Sequence, residues 1–369
     1  MSGDRADLEA AWLGLVSAPP TGPRRLWDVA MSGDPVEEWH RRRADSSPDF
    51  DADASLDRHR SAGVELTLHG DPGHPSLHAG DPHVPPVLFW RGAVGPGRPD
   101  APTVGVIGTR RASRAGIELA RELGRDLARA GCVVTSGLAL GIDAAAHRGA
   151  LEVDGARVLA VVGTGLDVVY PRANRSLWEA VAAQGSLVSE YPLGAAPAAW
   201  RFPARNRILV ACCDAVVVVE SHERGGSLIT AGIAGERGVP VLAVPGSVRS
   251  PTSVGTNRLI ADGCQPCLCV DDVLEAIGLS SAPSLPFPAA STRSSGGPAV
   301  RSSDGVDAAT GPTAAEAEVL EALGWSARSL DEVADECPGL ALGDLAVAAA
   351  GLLARGIVVE QDGRLERVR

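Results

Sequence analysis

The chain has 369 residues, a formal net charge of −12 and seven cysteines. That length accommodates two or three domains. No apolar run reaches membrane-spanning length and the opening MSGDRADLEA lacks a secretory pattern, so a cytoplasmic protein without membrane association is expected. An odd cysteine count with Cys212 and Cys213 adjacent does not make a disulfide framework. The acidic total would exclude nucleic acid only if charge were spread evenly. Residues 98–214 hold 14 Arg against 11 Asp and Glu, and all 34 basic residues of the chain are arginine, a side chain that grips phosphate through a planar fork.

Residues 1–60 read as a small helical domain: DLEAAWLGLV, RRLWDVAMSG and VEEWHRRR carry apolar residues at helical spacing, broken by Pro19-Pro20 and Gly22-Pro23. Residues 61–278 form the main block. GVELTL and PPVLFW are strand-like, and from Val104 the pattern alternates strand and helix with short connections. Val104 to Ile107 leads into the turn Gly108-Thr109-Arg110-Arg111-Ala112-Ser113, then an amphipathic helix, then Cys132 to Thr135 and a second turn at Ser136-Gly137. VLAVVG, SLVSE, AVVVVE and VLAVPG continue as unbroken apolar runs, as in a parallel sheet covered on both faces. The fold class expected is α/β, a doubly wound, mostly parallel sheet. Residues 279–312, rich in Ser, Pro, Gly and Ala, read as a disordered linker. Residues 313–369 give three helices and a hairpin turning at Asp362-Gly363, a winged-helix-like pattern. Its acidic balance and nearly uncharged third helix favour a protein contact over duplex reading.

A doubly wound sheet binds ligands beyond the carboxyl ends of its strands, where helix N-termini offer free N–H groups to anions. Five clusters are expected on that rim as turns after strands. They are Gly108, Thr109, Arg110 and Ser113; Ser136, Gly137 and Gly141; Gly163, Gly165, Asn174 and Arg175 in GTGLDVVYPRANRSL; Arg205, Asn206 and Arg207 in FPARNR; and Gly226, Ser227 and Thr230 in ERGGSLIT. Hydroxyls, glycines and Arg recur, without a nucleophile beside a general base. That inventory binds a polyanion and does not transform one, so no catalytic residue and no cofactor are expected. Asp143 and His147 lack a third ligand and read as a capping Asp and a packed His. Cys264, Cys267 and Cys269 lack a fourth ligand for structural zinc and read as thiols on a short edge strand, so no metal is expected.

Taken in order, GTRRAS, SGLALGIDAAAH, GTGLDVVYP, SEYP, FPARNR, GGSLITA, VPG and GTNRLI resemble the DNA-processing protein A family, also called Smf. The resemblance covers about residues 60–278. It implies a Rossmann-like domain that binds incoming single-stranded DNA without sequence preference, protects it and helps load the RecA recombinase during natural transformation. It also implies a homodimer, an N-terminal domain of sterile-alpha-motif or helix-hairpin-helix type and a winged-helix-like tail. Arg110 and Arg175 would grip the DNA backbone, the latter position being commonly Lys; the family's SGSL reads GGSL here. The runner-up is a nucleotide phosphoribohydrolase of the lysine-decarboxylase-like type, whose PGGxGT motif is replaced by VPGS and RGGSLIT. A nicotinamide dehydrogenase would need G-x-G-x-x-G after the first strand, which GVIGTRRAS lacks. A third reading is a nucleotide-sensing domain that signals through the winged helix.

Overall fold

The structure, a computed structural model, describes residues 2–17, 23–46, 50–76, 81, 83–279, 313–323, 328–337, 339–340, 342–355, 357–361 and 364–367. Four helices open it: α1 (Ser2–Ser17), α2 (Pro23–Ser32), α3 (Pro35–Ser46) and α4 (Ala52–Ser61). Helix α4 carries few apolar residues and was not anticipated. Its start is set by Asp51, whose side chain accepts from the Ala54 N–H at 3.0 Å, an N-cap of the kind carboxylates favour.

Strands β1 (Glu65–Leu68) and β2 (Val87–Gly92) follow, then the alternating block. Its elements are β3 (Thr103–Ile107), α5 (Arg114–Arg129), β4 (Val133–Ser136), α6 (Ile142–Ala150), β5 (Val158–Val162), a 3-10 turn (Arg172–Asn174), α7 (Arg175–Gln184) and β6 (Ser186–Ser189). It continues with α8 (Arg201–Ala211), β7 (Ala215–Val218), α9 (Gly226–Glu236), β8 (Val241–Ala243), α10 (Val254–Ala261), β9 (Gln265–Pro266) and α11 (Val270–Ala276). The nine strands form one sheet in the order β1-β2-β6-β5-β4-β3-β7-β8-β9. All pairings are parallel except β1 with β2 and β2 with β6. From β3 the chain winds outward to β6 on one side and to β9 on the other, so the switch point lies between β3 and β7.

Both faces of the sheet are covered, which is why its strands lack polar alternation. Val158, Ala160 and Val162 of β5 pack on one face with α5, α6, α7 and the N-terminal helices. Leu159 and Val161 face α8 and α9 on the other. Trp12, Leu13 and Leu56 share the first of these cores with Leu66 and Phe89. The Trp27 indole donates to the Val84 carbonyl at 2.8 Å, and the Leu193 N–H reaches His59 Nε2 at 3.0 Å. The N-terminal helices are therefore docked on the sheet edge by apolar burial and by hydrogen bonds.

The chain divides into two compact units, Met1–Ser284 and Leu285–Arg369. In the second, α12 (Ala314–Leu323), β10 (Arg328–Ser329), α13 (Leu330–Glu336), α14 (Leu342–Ala354), β11 (Val358–Gln361) and β12 (Arg364–Arg367) enclose Val319, Leu323, Val333, Leu345, Leu352 and Leu365. Its antiparallel sheet runs β10-β12-β11, the arrangement of a winged helix. The Asp362-Gly363 turn and nearly all of the expected linker lie outside the described residues. Among the described residues no helix is long and apolar enough to cross a membrane.

Helices α5 and α6 touch backbone to backbone. A Cβ on Gly149 would overlap the Arg121 carbonyl, and one on Gly124 the Ala146 carbonyl. Gly149→Ala is therefore expected to lower unfolding stability by about 2 kcal/mol, the overpacking penalty outweighing the helix-propensity gain. Urea denaturation checks this; an unchanged or raised midpoint would mean the two helices separate freely.

Candidate nucleic-acid interface

The turns after β3 and β4 meet at the switch point. Gly141 has φ 78° and abuts the Thr109 and Arg110 carbonyls, leaving no room for a Cβ. Asn174 is buried and donates to the Leu138 and Ala139 carbonyls at 3.0 and 3.3 Å, tying the Arg172–Asn174 turn to the β4 loop. Leu138, also buried, holds φ 52°, a conformation bulky residues rarely adopt. A cleft of about 350 Å³ opens between these loops and the start of α9. It is lined by Gly108, Thr109, Arg110, Arg205, Asn206, Gly226, Ser227 and Thr230, all expected from the sequence, together with Arg111 and Phe202. A smaller adjoining space brings in Gly137, Tyr170 and Pro171.

The helix termini in this region differ in what they hold. At α5, Ser113 is the N-cap and the Glu220 carboxylate accepts from its N–H at 2.8 Å and its hydroxyl at 2.6 Å. Thr252 donates to the same carboxylate at 2.9 Å, and a Cβ on Gly116 would overlap it. The terminus expected to receive phosphate thus already holds the protein's own anion. At α6, the Asp143 carboxylate accepts from the Gly137 N–H at 3.1 Å. Burial pushes its carboxyl above the ordinary range, opposed by Arg205 and by the Ala139 and Gly137 amides. At α9, Gly225 is the N-cap, no side chain caps the helix, and its first residues line the cleft. That terminus is open to an anion.

Several expected residues are engaged within the protein. The FPARNR segment is not a turn; it lies within α8, and on a helix two residues two apart point about 200° away from each other. Arg205 points in and is only 5% exposed. It donates to the Val161 carbonyl, stands 3.8 Å from Asp143 and fills the space a Gly137 side chain would need. Burial lowers its pKa to about 10 against the pull of Asp143. Arg207 points elsewhere, to Glu190 and to the His83 carbonyl at 3.0 Å. Ser136 is fully buried, its hydroxyl donating to the Val106 carbonyl at 2.7 Å. Ser227 donates to Ser221 Oγ at 2.8 Å and Thr230 to the Gly226 carbonyl at 3.4 Å. Gly163 lies against Phe202, and Gly165 against Pro192 and Ala195. His147 is buried, with Nε2 3.2 Å from the Leu159 carbonyl.

Exposed cations around the cleft include Arg110, Arg111, Arg172, Arg175 and, next to the α9 N-cap, Arg224, none in an ion pair among the described residues. Arg110 rests over the Phe202 ring at 5.3 Å. Arg172 and Glu220 went unread in the sequence. Arg172 carries no signal beyond lying in the YPRAN turn, and Glu220 none beyond being a charge at the end of the apolar run AVVVVE. Among the described residues no group of three or more His, Cys, Asp or Glu is placed to hold a metal ion. Cys267 is buried, Cys264 half-buried and Cys269 exposed, in or beside edge strand β9.

Arg205→Met removes the partner of a buried carboxylate and is expected to cost about 3–5 kcal/mol in chemical denaturation. The double replacement with Asp143→Asn should recover part of that loss; a single variant as stable as wild type would mean the pair is not coupled. Burial also holds His147 at about 4 against an ordinary 6.5. The unfolded chain then gains a proton the folded one refuses, so stability falls as pH drops from about 6.5 to about 4, by up to about 3 kcal/mol from this group. His147→Asn should flatten that part of the stability–pH curve, and an unaltered curve would rule it out.

Residues 65–278 match the family model described as DNA recombination-mediator protein A. The chain is 38% identical over 225 residues to a protein Smf of Synechocystis, covering 60% of this chain and 56% of that protein. It is 40% identical over 190 residues to the DNA processing protein DprA of Streptococcus pneumoniae, covering 52% and 66% respectively. These matches therefore span about half to two thirds of the relatives' own lengths. Among solved structures, that of DNA processing protein A from S. pneumoniae superposes with a TM-score of 0.55 at 32% identity, covering 74% of this chain and 92% of the other. A Helicobacter pylori structure, described by its single-stranded DNA binding mode, gives 0.51 at 27% identity, covering 58% and 95%. A family model matching more than half of the chain, over the segment that builds the sheet and its cleft, places the protein in the DNA recombination-mediator protein A family.

Proposed function

We propose that the protein binds single-stranded DNA along the rim of its sheet, without reading sequence, and acts as a recombination mediator rather than an enzyme. The observation that carries this is the switch-point cleft, where the uncapped start of α9 faces the unpaired Arg110. The backbone would run from Gly226 past Arg110 and Arg111 toward Tyr170, Arg172 and Arg175. Of the residues expected from the sequence, Gly108, Thr109, Arg110, Asn206, Gly226 and Arg175 remain candidates for direct contact. Ser113, Ser136, Gly137, Gly141, Gly163, Gly165, Asn174, Arg205, Arg207, Ser227 and Thr230 would shape the loops that present them.

A binding role is supported by the chemistry of the cleft. Its carboxylates, Asp143 and Glu220, are engaged by amides and hydroxyls, and the Ser227 hydroxyl is bonded to another serine. Among the described residues neither Ser221 nor Ser227 is hydrogen-bonded to a carboxylate or imidazole, and the Ser113 hydroxyl that Glu220 accepts belongs to the α5 cap. Family membership supports the finer parts of the reading: protection of incoming DNA, delivery to the RecA recombinase, work as a homodimer in natural transformation, and a cytoplasmic location.

Binding of 20-mers of unrelated sequence should be equal and salt-sensitive, with a log–log slope of about −0.7 per phosphate neutralised. Arg110→Ala should weaken all of them about tenfold, one charge-assisted contact of ~1.5 kcal/mol, and reduce the slope by roughly one phosphate's share. Fluorescence anisotropy from low to high salt reads both quantities. A flat salt response or a strong sequence preference would refute the reading, and a mononucleotide that stabilises the protein more than DNA does would replace it with the nucleotide-binding one.

A further inference from the structure

Aromatic side chains are scarce in this chain, and the few that reach solvent are gathered on one rim. Both of its tyrosines, Tyr170 and Tyr191, lie just beyond the carboxyl ends of sheet strands. Among the described residues the exposed aromatics are Tyr170, at 39%, and Trp200, at 64%. Tyr170 stacks on Phe202 with centroids 5.0 Å apart, and Phe202 in turn lies under Arg110. The loop leading to Trp200 supplies Pro197 and Ala199 to an open groove that Arg110, Tyr170 and Phe202 also line.

Trp200 is held without being buried. The Arg201 guanidinium lies 5.3 Å from its ring centroid and 4.3 Å from that of Tyr191, while the two rings meet edge to face at 6.1 Å. Arg201 is itself fixed through Nη1 to the Ala196 carbonyl at 2.8 Å. A large aromatic surface propped from behind and open in front loses little freedom when a flat partner settles on it. The groove thus has Arg110 with Phe202 and Tyr170 at one side and, past Pro197 and Ala199, leads to Trp200 with Arg201.

We propose that Trp200, propped by Arg201 and Tyr191, is a stacking platform for an unpaired nucleobase, with Tyr170 as a second platform beside Arg110. The proposal rests on the reading of the rim as a single-stranded DNA site and adds what is bound there besides phosphate. It would give the rim a preference for single strands that charge alone lacks, because the base faces of a duplex are already covered. Stacking of this kind tolerates any base, since each presents a π face.

The test compares oligothymidylate with an abasic oligomer of equal length and phosphate number. Trp200→Ala should weaken oligothymidylate binding about 5- to 160-fold, the equivalent of ~1–3 kcal/mol for one stacked base. It should leave abasic binding and the salt slope unchanged, and Trp200→Phe should restore most of the loss. Tryptophan fluorescence quenched by oligothymidylate should shrink in Trp200→Phe and be absent with the abasic strand. Equal losses on both strands, or no loss on oligothymidylate, would overturn the platform, the latter leaving Trp200 to a protein contact. Arg110→Ala separates the two claims. If it weakens both strands while Trp200→Ala weakens neither, the trough stands and the platform falls. If wild-type protein binds neither strand, both fall.

Discussion

The buried carboxylate of Glu220 sets the geometry of the switch point. Glu220 lies just beyond β7, yet its side chain is held by the Ser113 amide and hydroxyl after β3 and by Thr252 beyond β8, while its backbone carbonyl accepts from the Thr109 N–H at 2.8 Å. Three loops that would otherwise move apart are thereby fixed to one side chain. The same carboxylate sits at the positive end of α5, where a dinucleotide-binding sheet receives pyrophosphate. A second anion there would meet both repulsion and a filled space. On the proposed reading, anion binding would fall instead to the start of α9, which no side chain caps, and to the arginines around it.

Arginine divides between two tasks according to burial. Arg205 with Asp143, Arg207 with Glu190 and Arg237 with Asp81 are interior or nearly so, each with an acidic partner. Unpaired charge at that depth would be prohibitive, so these pairs join elements and cannot be lent to a ligand. Arg110, Arg111, Arg172 and Arg175 keep their guanidinium groups in solvent near the cleft, with desolvation still to be spent on binding. The net charge of −12 describes neither group; it hides a set of exposed, unpaired arginines beside the cleft.

The fold was legible because the strands are unbroken apolar runs and the intervening helices have wide apolar stripes. Helix α4 was not, since its few apolar residues give weak periodicity and its cap is a single Asp51. The site was legible where the signal was a turn: Gly108, Arg110 and Gly226 are recognisable from loop chemistry alone. It failed where a helix intervened. FPARNR reads like a loop, with Pro203 suggesting one, but proline is tolerated in a helix's first turn. There α8 sends Arg205 inward and Arg207 toward Glu190. A buried acid such as Glu220 is legible only as an anomaly, because glutamate seldom lies inside unless partnered.

A rim of this composition constrains which nucleic acid can use it. Backbone amides and guanidinium groups recognise phosphate, which every nucleotide has, whereas reading sequence requires paired donors and acceptors aimed at base edges. The residues around the cleft that still have free hydrogen-bonding capacity are chiefly arginines and the first amides of α9, and the remaining surface is glycine, proline and aromatic ring. The crevice between the β3 and α9 turns opens at a single sheet end, and a nucleic acid entering it would have to bend. A flexible single strand does so at small cost, whereas a duplex with a persistence length of about 150 base pairs resists it. On the proposed reading, selectivity for a single strand and indifference to its sequence would have one origin, the shape and chemistry of this sheet end.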